Sequence, residues 1–280
     1  MKAHLVQFDI AWEDKGANHA RVLDLLDAVD VREGDLILLP EMFDTGFSMN
    51  TKATADRGGV TLAFLVDLAD DLHAFVQGGR TLHDCHGALA SNVMTIVDPG
   101  TDGPNDARVV GEYAKVHPFS LGREHEAFAG GERVLTWDWI GPANGDKDAL
   151  KVCPAICYDL RFPELFRNGL RLGAECFAIG ACWPRARHHH WRALLIARAI
   201  ENQAYVLGVN RVGRDPNGAF GTGLEYGGGS IAISPTGEVL GELGDAQGVL
   251  SVEVDPAGVR RWREKFPAWK DHRLNLDWKA

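Results

Sequence analysis

The feature that most constrains this chain is a set of short runs that are apolar at nearly every position: Leu36–Leu39, Val152–Ile156, Cys176–Ala181 and Tyr205–Val209. A strand with one wet face alternates polar and apolar residues, whereas one covered on both faces does not. Between these runs lie segments with apolar residues at helical spacing. These are 17–31 (Val22, Leu25, Leu26, Val29), 60–74, and 188–203 (Trp191, Leu194, Leu195, Ala199). Covered strands that alternate with helices imply parallel pairing. Further strands are read at 3–8, 74–78, 91–98, 107–115, 132–139, 229–234, 238–242 and 247–253. The pair joined by Pro235-Thr236-Gly237 implies an antiparallel edge. So many strands exceed the usual content of one open sheet, so the reading is an α/β fold with two packed mixed sheets. Turn-rich stretches at 98–106, 141–148 and 218–229 contain no low-complexity linker, and residues 1–280 read as one domain. A short helix near 256–265 leads into a polar C-terminal tail from about 266.

Composition narrows the partners. The formal net charge is −10, which argues against nucleic acid or an anionic membrane surface. No run approaches the ~18 apolar residues of a membrane span, and the first residues carry no secretory pattern. The five cysteines (Cys85, Cys153, Cys157, Cys176, Cys182) are odd in number and form no CxxC pair. Reduced thiols in a cytoplasmic protein are expected.

Reactive side chains stand at the carboxyl ends of strands. Glu41 follows the 35–39 run, Lys115 ends the 107–114 strand, and Cys157 ends the 151–156 strand, just ahead of a helix start at Phe162-Pro163-Glu164. Ligands of α/β sheets bind beyond such ends. If these strands are neighbours, the three groups converge. A thiol at the positive end of a helix is expected to favour the thiolate. A carboxylate can take its proton, and an ammonium with the Tyr158 N–H can hold the oxyanion of a tetrahedral intermediate. Each residue also has a plainer reading: Cys157 as a small core hydrophobe, Glu41 and Lys115 as a solvated ion pair, and Glu124 as a surface acid in a polar loop. Arg161 reads equally as a helix-start cap or as a clamp for a substrate carboxylate.

Three motifs in order resemble the nitrilase, or carbon–nitrogen hydrolase, superfamily: Leu39-Pro40-Glu41-Met42-Phe43, Tyr113-Ala114-Lys115-Val116-His117-Pro118-Phe119, and Cys157-Tyr158-Asp159-Leu160-Arg161-Phe162-Pro163-Glu164. The resemblance spans nearly the whole chain, including Glu201-Asn202-Gln203-Ala204-Tyr205-Val206 and Asn210-Arg211-Val212-Gly213. It implies a four-layer αββα sandwich that pairs with a second copy as a homodimer or higher homo-oligomer. It further implies Glu41 as general base, Lys115 as oxyanion stabiliser, Cys157 as nucleophile, and Glu124 as an additional site residue that positions Lys115 and substrate. No metal or other cofactor is implied.

Within the superfamily the sequence is most similar to the omega-amidase branch, which implies hydrolysis of the terminal amide of 2-oxoglutaramate or 2-oxosuccinamate. Such a substrate carries a carboxylate at its far end, for which Arg161 is the expected partner, with Phe119, Tyr158 and Trp183 as walls. Two departures bear on substrate. Cys182 stands where related chains often have Asn, and Gly229 where they often have a polar residue. Rival readings are another C–N substrate (an N-carbamoyl compound or the amide of a deaminated peptide-like metabolite), a catalytically silent binding subunit, and a metal site at His188-His189-His190. The last is disfavoured because consecutive helical residues do not share a face. A Cys153–Cys157 disulfide is disfavoured too, since four residues of strand place the pair ~13 Å apart.

Overall fold

The structure, a computed structural model, describes every residue except 84–88, 101, 102, 104, 142–148, 219, 220, 272 and 274–280. Cys85, nearly all of the loop expected at 141–148 and most of the tail lie outside the described residues. In chain order the elements begin with β1 (Lys2–Gln7), α1 (Lys15–Leu26), β2 (Leu36–Leu38), α2 (Thr51–Thr54), α3 (Val60–Leu72), β3 (Phe75–His83), β4 (Ala90–Asp98) and β5 (Arg108–Ala114). The middle of the chain gives β6 (Trp137–Trp139), β7 (Leu150–Ile156), α4 (Pro163–Arg171), β8 (Cys176–Ala181), α5 (His188–Asn202) and β9 (Tyr205–Asn210). The last elements are β10 (Val212–Arg214), β11 (Glu225–Gly227), β12 (Ile231–Ile233), β13 (Val239–Glu242), β14 (Gly248–Glu253) and α6 (Pro256–Lys265).

Two six-stranded mixed sheets result, ordered β14-β1-β2-β3-β4-β5 and β13-β12-β9-β8-β7-β6, beside a two-stranded ribbon of β10 and β11. The central pairings β1–β2, β2–β3, β7–β8 and β8–β9 are parallel, as the covered apolar runs require. Side chains of the two sheets meet face to face: Leu5, Leu38 and Ile96 from the first with Val152, Ala178 and Leu207 from the second. The opposite faces carry helices. Val22 of α1 and Leu65 of α3 belong to the cluster that holds Val6 and Val76, and Phe166 of α4 and Leu195 of α5 to the one that holds Phe177 and Val206. Helix, sheet, sheet, helix is the expected four-layer sandwich. One buried amide crosses the inner layer, where Gln77 Nε2 donates to the Ala178 carbonyl at 3.1 Å.

Several boundaries differ from expectation. The helix expected over 17–31 ends at Leu26. The chain then turns, because the Asp35 carboxylate collects the backbone N–H groups of Lys2 and Arg32 at 2.8 and 3.0 Å. Of 132–139 only Trp137–Trp139 pairs as a strand, while Val134 and Leu135 pack against the core without a ladder. The strand expected at 229–234 shrinks to Ile231–Ile233, because Gly228 and Gly229 are left-handed at φ 65° and 76°. The β10–β11 ribbon lies partly in what reads as a glycine-rich turn.

One glycine connects the fold to the site. After β2 the chain keeps pairing with β3 around Glu41: Gly79 N–H donates to the Pro40 carbonyl at 3.3 Å, and Phe43 N–H to the Gly79 carbonyl at 3.2 Å. A Cβ on Gly79 would stand 2.6 Å from Met42 N and 2.8 Å from Glu41 Cα. Backbone cannot yield as a side chain does. Gly79→Ala is expected to lower the unfolding free energy by about 1–3 kcal/mol in denaturant titration, as overpacked cores do, with activity lost beyond that because the Glu41 turn is displaced. An alanine variant of unchanged stability and activity would refute this.

Candidate active site

Beyond the carboxyl ends of β2, β5 and β7 stand Glu41, Lys115 and Cys157. Lys115 Nζ lies 2.8 Å from Glu41 Oε1 and 2.8 Å from Glu124 Oε2. The ammonium and both carboxylates are 0–1 % exposed, so the solvated-pair and surface-acid readings fail. Asn92, on β4, donates one amide nitrogen to both acids, at 2.7 Å to Glu41 and 2.9 Å to Glu124. Backbone adds a donor to each acid: Cys182 N–H to Glu41 Oε2 at 2.9 Å, and Phe119 N–H to Glu124 Oε2 at 2.6 Å. Every buried charge has partners, as burial demands.

Convergence does not arise from neighbouring strands. β2 and β5 are separated by β3 and β4 in one sheet, and β7 belongs to the other. The face-to-face packing of the two sheets brings them together. Cys157 has φ 45°, a left-handed conformation uncommon for a residue with a side chain, at the head of a tight turn over 157–161. Asp159 fixes that turn. Its carboxylate accepts from the Ile156 N–H (3.1 Å), the Tyr113 hydroxyl (2.7 Å) and the His117 N–H (3.0 Å). Tyr113 and His117 lie on either side of Lys115, so Asp159 ties the thiol's turn to the lysine's strand. Asn92 and Asp159 were not singled out from sequence, since lone polar residues in a strand and a turn are common. The triplet spacing of Tyr113, Lys115 and His117 was the available signal.

The expected thiolate is not what the site favours. Burial pushes the Cys157 thiol well above the ordinary range, and the Glu41 charge pushes it further, against the opposing pull of Lys115. Burial alone would depress Lys115, but Glu124 and Glu41 outweigh it and hold the ammonium well above its usual range. Both shifts favour the protonated forms, a thiol on Cys157 and an ammonium on Lys115. The thiol's proton must leave as the nucleophile attacks.

Cys157 opens into a narrow cavity of about 20 Å³, whose walls include Phe119, Tyr158, Arg161 and Trp183. Arg161 lies over the Trp183 ring at 4.7 Å and near Tyr158 at 5.8 Å. It faces the cavity, and among the described residues no carboxylate pairs with it. The cap reading of Arg161 is thus set aside. Cys182 lines the same cavity, its Sγ 3.2 Å from the Glu41 carbonyl. Gly229 is not in this wall; a Cβ there would collide with the His188 imidazole. Among the described residues no group of three His, Cys, Asp or Glu side chains is arranged to hold a metal, and no helix is long and apolar enough to cross a membrane.

A sandwich of this topology, with a thiol, a carboxylate and an ammonium sealed at one end, has the equipment of a hydrolase that works on acyl groups. The profile of the carbon–nitrogen hydrolase family matches residues 2–264. The chain belongs to that family and is a hydrolase of carbon–nitrogen bonds. It is 35 % identical to the omega-amidase YafV of Escherichia coli strain K12, covering 97 % of this chain and 96 % of that one. It is 30 % identical to the 2-oxoglutaramate amidase of Bacillus subtilis, covering 97 % of each. Among solved structures, XC1258 of Xanthomonas campestris, a CN-hydrolase superfamily protein, superposes with a TM-score of 0.85 at 31 % identity over 99 % of this chain and 98 % of that one.

Two outcomes are expected. The ultraviolet thiolate absorbance of the wild type, less that of Cys157→Ala, should be absent at neutral pH and emerge only above the ordinary thiol range; a thiolate present at neutral pH would contradict the assigned direction. Asn92→Leu should lower kcat/KM by about 10- to 100-fold, since an unmet buried acceptor costs ~1–3 kcal/mol, while an unchanged value would show that the shared amide does not hold the acids.

Proposed function

We propose that the protein hydrolyses the terminal amide of a small acid, of the 2-oxoglutaramate or 2-oxosuccinamate kind, to a dicarboxylic acid and ammonia. The observation that carries this reading is the charge in the cavity wall: the Cys157 thiol and the Lys115 ammonium, itself paired with the Glu41 base, share that wall with the Arg161 guanidinium, which has no carboxylate partner among the described residues. An amide with a carboxylate at its far end matches both. The similarity to an omega-amidase and a 2-oxoglutaramate amidase supports the same substrate class.

Glu41 takes the Cys157 proton as Sγ attacks the amide carbon. The carbonyl oxygen becomes an oxyanion facing the Lys115 ammonium and the Tyr158 N–H, donors already in place before charge develops. Glu124 and Asn92 hold Lys115 and Glu41 at fixed positions, so little reorganisation accompanies the step. As the intermediate collapses, Glu41 gives its proton to the leaving nitrogen and ammonia departs, leaving a thioester on Cys157. A water then loses its proton to Glu41 and attacks the thioester. The acid leaves, and the proton returns to Sγ.

The test is ammonia release from 2-oxoglutaramate, succinamate, an N-carbamoyl amino acid and a simple nitrile, each with wild type and Cys157→Ala. Turnover highest on 2-oxoglutaramate and abolished in the variant is expected, with hydroxylamine diverting the thioester to a hydroxamate. Full turnover by Cys157→Ala would sink the mechanism, and turnover confined to the N-carbamoyl compound or nitrile would sink the substrate class.

A further inference from the structure

The narrow cavity at Cys157 adjoins a wider one of about 570 Å³. The two share Phe47, Phe119, Arg187 and Leu224 in their walls, so these residues form the neck where the cavities meet. The cations of this region divide sharply. Lys115 is held by Glu41 and Glu124, and Arg123 on the outer rim is held by Glu126 at 2.6 Å. Arg187 has neither arrangement. It is half-buried with its guanidinium 5.6 Å from the Phe119 ring, and among the described residues no carboxylate pairs with it. Arg161, in the inner wall, is in the same condition. In a chain of net charge −10, two guanidinium groups facing one passage without a counter-charge are a local reversal of sign. Their joint field is felt at His190, 3.4 Å from Arg161. Its imidazole is held below the ordinary range, first by burial and then by His189, Arg161 and Arg187.

From this placement we infer that Arg187 is a specificity-determining residue, donating from the neck to the anionic end of the substrate so that Arg161 and Arg187 together read a 2-oxo acid. The inference rests on the proposed reading of the site and names the second group that reads the far end. A 2-oxo acid presents there a carboxylate and a carbonyl oxygen, which are acceptors only. The corresponding 2-amino acid amide presents an ammonium at the same carbon, and two guanidinium groups repel it. Arg can meet a carboxylate with two parallel donors, a geometry Lys cannot supply. Stacking on Phe119 keeps the guanidinium poised without neutralising it.

The experiment compares wild type, Arg187→Met, Arg187→Lys and the control Arg185→Met, an exposed arginine paired with Glu225 and Asp245. Each is assayed on 2-oxoglutaramate, glutamine and butyramide, and each is tested for protection of Cys157 from iodoacetamide by 2-oxoglutarate. Arg187→Met should raise KM for 2-oxoglutaramate by about 10- to 100-fold, the range of a charge-assisted hydrogen bond, with a smaller change in kcat. Its preference for 2-oxoglutaramate over butyramide and over glutamine should fall, and protection by 2-oxoglutarate should weaken in parallel. Arg187→Lys should restore part of both, and Arg185→Met should match wild type. A KM within twofold of wild type in Arg187→Met, or equal losses on 2-oxoglutaramate and butyramide, would overturn the inference and leave the proposed function standing. A wild-type enzyme that hydrolyses butyramide but not 2-oxoglutaramate, with no protection by 2-oxoglutarate, would instead overturn the proposed function and this inference with it.

Discussion

Everything at the catalytic end of this protein depends on one buried ammonium shared by two carboxylates. Lys115 is 1 % exposed, and Glu41 and Glu124 are fully buried beside it. None of the three is tolerable alone, since removing one member of a buried ion pair typically costs ~3–5 kcal/mol. The triad carries an excess negative charge, and the surrounding chain supplies neutral donors to meet it: the Asn92 amide and the N–H groups of Phe119 and Cys182. Four separate segments are thereby fixed in relation to one another by electrostatic necessity. The thiol is raised above its ordinary range first by its burial and then by the Glu41 charge of this cluster, so its proton must be taken as it attacks.

This arrangement also accounts for the backbone around it. Met42 and Cys157 both adopt positive φ, at 44° and 45°. Such conformations cost of order 1–3 kcal/mol and persist where surrounding contacts over-determine them. Here those contacts are the β3 ladder across Gly79 on one side and the Asp159 hydrogen bonds on the other. Strain and restraint occur at the same two turns, one carrying the base and the other the nucleophile.

Much of this was legible in the sequence, and the illegible parts have physical reasons. Glu41 and Cys157 follow apolar runs and Lys115 follows a shorter strand pattern, so local pattern alone puts them at strand ends. That they share one site was not local information: it depends on two sheets meeting face to face, which the strand count suggests and family resemblance makes specific. Glu124 sits in a polar loop, and only resemblance distinguished it from a surface acid. Asn92 and Asp159 act through partners distant in sequence, 51 residues to Glu41 and 46 to Tyr113, where no periodicity reaches. The direction of the Cys157 shift was misjudged because proximity to a helix is visible in sequence while depth of burial is not. Segment 17–31 was overextended for a similar reason: Val29 fits a helical stripe, but Asp35 draws the chain into a turn instead.

The division of the site between two sheets makes the layer between them part of the catalyst. One sheet contributes the base, the lysine and Asn92, and the other contributes the cysteine; neither sheet alone is a catalyst. Neither set of groups is complete without the other, so competence depends on the packing of one sheet against the other and not on either sheet by itself.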